Sequence, residues 1–169
     1  MNICLIGNGL SPLILATILA NRNIKVSIFE EYEPKKNFIT RTLALSKNNL
    51  EYLKKEKINI EKKSWSINKI KIFNELKNNQ EVLNFGSNLD KIFFTVKYKE
   101  FFNLLIKNLK KKKNIKKYKI KNNYFFNSIL KEKDNYDLVI NFNEKNIISK
   151  NLLSNRTEKD YDSFAFTSL

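Results

Sequence analysis

Gly7, Gly9 and Glu30 are the residues of this 169-residue chain whose types and spacing could do chemistry. Gly7-Asn8-Gly9 follows a short apolar run, Ile3 to Ile6, and Glu30 stands 21 residues beyond Gly9. A carboxylate about 20 residues after a glycine-rich turn is the spacing of a dinucleotide-binding unit. Gly7 lets the backbone turn sharply. Gly9 has no Cβ, so a pyrophosphate can come close to the main chain. Leu10 opens a mostly apolar segment; as a helix, it would aim unpaired N–H groups and its positive dipole end at that phosphate. Glu30 can accept hydrogen bonds from the adenosine ribose hydroxyls. A carboxylate there also repels a 2′-phosphate, which favours FAD or NAD over NADP.

The elements needed to position these groups can be read from the same stretch. Ile3–Ile6 is short and apolar enough to be a buried strand, Leu10–Ala20 has a helix pattern, and Ile24–Phe29 is a second β-branched apolar run. Strand, glycine turn, helix and strand form a βαβ unit. The full fingerprint has glycine or alanine at its third position, where this chain has Pro12; proline is sterically acceptable in a first helical turn but removes a donor. The competing reading is an ordinary βαβ packing unit with an incidental glycine turn.

Composition narrows the class. The length suits one domain, or a domain and a fragment, and such a chain can bury roughly 70% of its unfolded surface. No run reaches the ~18 uncharged apolar residues of a membrane span. The N-terminus lacks a basic region and its apolar run is broken by Gly-Asn-Gly, so a signal peptide is not expected and the expected compartment is the cytoplasm. The single Cys4 reads as a small buried hydrophobe. With no histidine, His-based triads and most zinc sites are excluded, and no metal site is expected. The net charge of +15 rests on 29 Lys and only 3 Arg, beside 26 Asn. Nucleic-acid readers lean on arginine for bidentate contacts, so no specific nucleic acid is expected and the charge reads as a solvated surface of AT-rich coding. Peripheral contact with an anionic membrane fits it better.

Further along, Glu31–Thr40 reads as a polar loop, and Ser46 as the N-cap of a helix over Lys47–Lys54. Trp65–Phe73 alternates imperfectly and, with Glu81–Phe85 and Lys91–Val96, suggests a small antiparallel region. Tyr98–Leu109 is amphipathic, with Phe101, Phe102, Leu105, Ile106 and Leu109 at helical spacing. Lys110–Lys117 reads as a solvated helix end. Tyr118–Ile120 and Tyr124–Leu130 read as strands, Asp137–Phe142 as a buried strand returning to the first sheet, and Ser163–Leu169 as one more strand.

These pieces together resemble the FAD-dependent aromatic-ring hydroxylases, the p-hydroxybenzoate hydroxylase-like flavoprotein monooxygenases, and within them the hydroxylases of ubiquinone biosynthesis. Gly7 through Glu30 is similar to the family's FAD-binding start. Arg41-Thr42-Leu43-Ala44-Leu45-Ser46 is similar to that branch's R-x-x-A-L-S stretch, which implies that Arg41 reaches the flavin. Phe94–Leu109 resembles the strand and helix before the sheet's return, and Tyr136–Ile140 the lead into the family's Asp-Gly motif, where this chain has Asn143-Glu144. Arg156 and Tyr161 stand where the family has an arginine and an aromatic leading into the substrate-domain sheet.

The implied fold is α/β: a Rossmann-like FAD-binding domain over residues 1–160 with a small antiparallel insertion at about 63–96. Residues 161–169 would begin a substrate-domain strand, the chain stopping before that domain is complete. The implied cofactor-binding residues are Gly7, Gly9, Leu10, Glu30 and Arg41; no catalytic acid or base is assigned. The implied cofactors are FAD, with NAD(P)H as electron donor. The implied substrate is a small aromatic molecule, in this branch a polyprenyl phenol at the inner membrane, and a partner chain would complete the fold. Two other classes stay open: an NAD-binding Rossmann-type dehydrogenase or sensor, and a non-catalytic truncated homologue or basic binding module.

Overall fold

The N-terminal apolar run forms β1 (Asn2–Ile6), in which Ile3, Cys4, Leu5 and Ile6 are at most 2% exposed. Burial on both faces is what an unbroken apolar run specifies in a parallel sheet. The structure, a computed structural model, describes residues 1–31, 41–74, 78–86, 91–120, 135–143, 146–152, 157, 159, 161 and 162. The expected strands at Tyr124–Leu130 and Ser163–Leu169, the loop after Glu31, and Glu144 and Arg156 lie outside them. Two compact units divide the chain: Met1–Lys36 with Asn108–Leu169, and Asn37–Lys107.

In the first unit, β1 lies between β2 (Lys25–Glu31) and β9 (Leu138–Asn141), with β8 (Ile115–Ile120) beyond β2. All three pairings are parallel. The connection from β1 to β2 is α1 (Leu10–Asn21), which packs against both strands. It buries Leu13, Ala16, Thr17 and Ala20, spaced as one helical face. Its end is closed by Asn23 at φ 59°: Ile24 N donates to Leu19 O and Asn23 N to Ala20 O, each at 3.1 Å. Those two bonds are the Schellman closure, and asparagine tolerates the left-handed backbone it needs. On one sheet face Cys4, Ile6, Phe29 and Ile120 form a buried cluster with Ile148 of α4 (Ile147–Leu152). The strand at Asp137–Phe142 thus rejoins the first sheet, as expected from its sequence.

The second unit holds β3 (Thr42–Ser46), α2 (Lys47–Lys55), β4 (Ser64–Ile67), β5 (Ile70–Asn74), β6 (Gln80–Phe85) and β7 (Phe93–Lys97). Ser46 caps α2 as expected, its Oγ accepting from Asn49 N at 3.2 Å. The antiparallel region is present, but as two sheets: β3-β7-β4 and the hairpin β5-β6. The stretch Trp65–Phe73 is not one strand; it breaks at Asn68-Lys69 and its halves pair with different partners. The imperfect alternation there marks that break. α3 (Tyr98–Lys110) buries Phe101, Leu105 and Leu109 four residues apart, one face of a helix. Of Lys110–Lys117 only Lys110 ends a helix, the last residue of α3, while Ile115–Lys117 belong to β8. Among the described residues no helix is long and apolar enough to cross a membrane.

Candidate dinucleotide-binding site

The strand order β8-β2-β1-β9 sends the chain away from β1 in both directions, so a topological switch point falls between the C-terminal ends of β1 and β9. Open parallel sheets bind ligands at such crevices. Gly7-Asn8-Gly9 lies at the end of β1, and Asn141, Phe142 and Asn143 at the end of β9.

The chain has three glycines, and two of them stand in this turn for different reasons. Gly7 has φ +142°, a backbone that side chains rarely adopt. A Cβ on it would also sit 3.0 Å from Phe142 Cβ and 3.6 Å from Pro12 Cγ. Its amide donates to Phe29 O at 2.9 Å, and Phe142 N to Ile6 O at 2.8 Å, so the turn is tied to both neighbouring strands. Pro12 is buried and fills space over Gly7 at the third fingerprint position. Gly9 is different. It is the N-cap of α1 at φ −87°, ψ −173°, extended backbone open to any residue, and among the described residues a Cβ on it would meet nothing within 4 Å. Neither strain nor packing requires glycine there, and its lack of a side chain leaves open space at the helix N-terminus. Leu10 and Ser11 complete a first turn without a carboxylate, so the helix's positive end is not offset from within the turn.

Glu30 lies at the far end of β2, its side chain 19% exposed. Its Oε1 is 2.6 Å from Nζ of Lys117 on β8, a partner the sequence did not disclose. The strand expected at Tyr118–Ile120 is the second half of β8; Lys116 and Lys117, ahead of it, carry no strand period.

The loop after β9 is held by side chains. Asn141 Nδ2 is 3.1 Å from Asn143 O, 3.0 Å from Asn146 Oδ1 and 2.8 Å from Ser149 Oγ. Asn141 Oδ1 accepts from Asn143 N at 3.1 Å and Asn146 Nδ2 at 2.9 Å. Asn146 Oδ1 caps α4 by accepting from Ser149 N at 3.0 Å, and Ser149 Oγ donates to Asn143 O at 2.7 Å. Asn143, at the position compared with an Asp-Gly motif, is therefore locked by its own main chain into an asparagine–serine network. Asn141, Asn146 and Ser149 were not legible as a set, because asparagine is common throughout the chain.

Gly7, Gly9, Leu10 and Glu30 all belong to the first unit; Arg41 belongs to the second. Arg41 is exposed just before β3, with its guanidinium 5.9 Å from the centre of the Tyr98 ring and its carbonyl accepting from Tyr98 N. A separate cleft of about 540 Å³ is lined by Asn2, Lys25, Ser27, Lys116, Tyr118 and Tyr136, among others. It opens at the N-terminal ends of the strands, the wrong end for a switch-point ligand, and so is not the nucleotide site.

A parallel sheet with a glycine turn, a helix N-terminus and a carboxylate at the carboxyl ends of its strands defines the class: an α/β fold of the dinucleotide-binding type. No family model and no curated protein matches the sequence. Solved structures do. The chain is similar to p-nitrophenol 4-monooxygenase PnpA from Pseudomonas putida DLL-E4 at 14% identity and a TM-score of 0.55, covering 69% of this chain and 30% of that one. It is similar to PqsL, described as a probable FAD-dependent monooxygenase from Pseudomonas aeruginosa, at 11% identity and a TM-score of 0.57, with 70% and 32% covered. It is also similar to 2,6-dihydroxypyridine-3-hydroxylase from Arthrobacter nicotinovorans at 14% identity and a TM-score of 0.51, with 69% and 28% covered. The chain thus spans about a third of the length of these proteins. The α/β fold expected from the sequence is thus shared with part of each of these solved structures.

Proposed function

We propose that this chain holds FAD by its adenosine-diphosphate half and is the nucleotide-binding part of a flavoprotein monooxygenase that hydroxylates a small aromatic ring. The observation that carries the reading is the open space over Gly9 at the N-terminus of α1, where among the described residues nothing lies within 4 Å of an added Cβ. A bound phosphate explains a glycine that neither backbone strain nor packing demands. The residues suit an adenine dinucleotide: the main-chain N–H groups of Gly9, Leu10 and Ser11 would hold the pyrophosphate and the Glu30 carboxylate the ribose. Pro12 has no N–H to give, so the cradle rests on the three residues before it.

FAD, when bound, supplies the redox chemistry with O2, and NAD(P)H is the electron donor in this reading. The choice of FAD over NAD is supported by the neighbours' names and by the Arg41–Ser46 stretch, and Arg41 is proposed to reach the same cofactor. That stretch also supports the ubiquinone-biosynthesis branch, with a polyprenyl phenol as substrate, and the net charge of +15 supports a peripheral membrane contact.

The test is a titration of the folded chain with FAD, followed by flavin fluorescence, with ADP as competitor. Saturable binding displaced by ADP is expected, and Arg41→Ala should weaken FAD without weakening ADP. Folded chain that binds neither FAD nor ADP overturns the proposal; binding of NAD+ with no binding of FAD replaces the flavin reading with a dehydrogenase or sensor.

A further inference from the structure

A lone carboxylate at the end of the second strand of a dinucleotide fold accepts ribose hydroxyls and repels a 2′-phosphate. Glu30 is not alone. Lys117 Nζ lies 2.6 Å from its Oε1, and the register of β2 with β8 sets Lys119 directly across from it. Side chains two apart on a strand share a face, so Lys117 and Lys119 lie on Glu30's side of the sheet. The Glu30 side chain is 19% exposed and that of Lys117 33%, so water screens the pair only in part. The carboxylate meets a ligand already neutralised, and the second lysine leaves this corner of the sheet net positive.

Resting on the dinucleotide reading above, we infer that Lys117 sets the selectivity of this site at the ribose 2′ position and makes it tolerant of a 2′-phosphate. A ribose oxygen hydrogen-bonded to the Glu30 carboxylate shares that group with Nζ, 2.6 Å from Oε1, so a phosphate replacing the hydroxyl meets the ammonium as a neighbour on the same carboxylate. An ammonium carries three N–H donors, and the ion pair uses one. A phosphate can therefore be bonded by Lys117 while the carboxylate stays neutralised. The ligand class is an adenine nucleotide with or without a 2′-phosphate, where Glu30 alone would have admitted only the second.

The experiment titrates ADP-ribose and 2′-phospho-ADP-ribose into the full chain and into Lys117→Met and Lys117→Arg, by calorimetry. The unsubstituted chain is expected to bind the two within about tenfold of each other. Lys117→Met should shift the ratio of the two affinities against the 2′-phospho ligand by about tenfold or more, the scale of one charge-assisted hydrogen bond; Lys117→Arg should keep the ratio of the unsubstituted chain. Lys117→Gln repeats the charge removal should methionine disturb the edge strand. An unsubstituted chain that rejects the 2′-phospho ligand by more than about a hundredfold, or a ratio unmoved by removing the charge, overturns the inference and leaves the nucleotide site standing. Binding of neither ligand by the folded chain overturns both.

Discussion

Replacing Gly9 with valine separates binding from folding. Gly9 sits at φ −87°, ψ −173°, which valine adopts freely, and an added Cβ meets nothing within 4 Å. Two small effects on stability oppose each other. Valine is a poorer N-cap than glycine by about 0.5–1 kcal/mol, while it lowers the entropy of the unfolded chain by a similar amount. The net change should stay within about 1 kcal/mol, a shift in Tm of about 2–4 °C at this size. Binding should respond far more. The valine side chain occupies the approach to the α1 N-terminus, and each N–H to phosphate bond lost costs about 1.5–3 kcal/mol, or about 10- to 150-fold in Kd. Gly7→Ala should show the reverse balance: φ +142° and a contact 3.0 Å from Phe142 Cβ store strain, worth about 1–3 kcal/mol of lost stability. Thermal melts by circular dichroism and FAD titrations of both variants make the comparison. A folded Gly9→Val chain with unchanged FAD affinity would refute the reasoning.

Three further outcomes are expected. Glu30→Gln should weaken ADP-ribose by about 1–3 kcal/mol, the scale of a hydrogen bond to a charged acceptor, as read by calorimetry; an unchanged Kd places the ribose elsewhere. Ser46→Ala removes the bond from Asn49 N to Ser46 Oγ and should cost about 1 kcal/mol in a denaturant titration. Burial pushes the Cys4 thiol up from an ordinary 9.0 to about 12. The folded chain therefore keeps a proton that the unfolded chain releases, so stability should fall between pH 9 and 12 by about 1.4 kcal/mol per unit relative to Cys4→Ala. Parallel pH dependence of the two chains would show that Cys4 titrates alike in both states.

The βαβ unit was legible because its residues agree at every level: an apolar run for a strand buried on both faces, glycines at the turn, a helix without interior breakers, and asparagine where a left-handed closure is needed. Ser46 was legible for the same reason, since a capping serine acts through its immediate neighbours. What escaped depends on pairing between distant segments. Trp65–Phe73 carries one blurred period for two strands, and only their separate partners reveal the break at Asn68-Lys69. Only the second half of β8, Tyr118–Ile120, was legible as a strand; Lys117 escaped because its role comes from lying beside Glu30 in space, 87 positions earlier in the chain. The asparagine network after β9 was likewise invisible, because a chain with 26 asparagines gives no reason to single out three. The space above Gly9 follows from the G-x-G pattern; that neither backbone strain nor a described neighbour demands a glycine there shows only in the fold.

The central claim, that a dinucleotide lies over Gly9 at the N-terminus of α1, is tested most directly by amide chemical shifts of the 15N-labelled chain titrated with FAD. The amides of Gly9, Leu10 and Ser11 should move with a common Kd, while those of the β5–β6 hairpin stay in place. Saturable FAD binding that leaves the Gly9, Leu10 and Ser11 amides unmoved would contradict it.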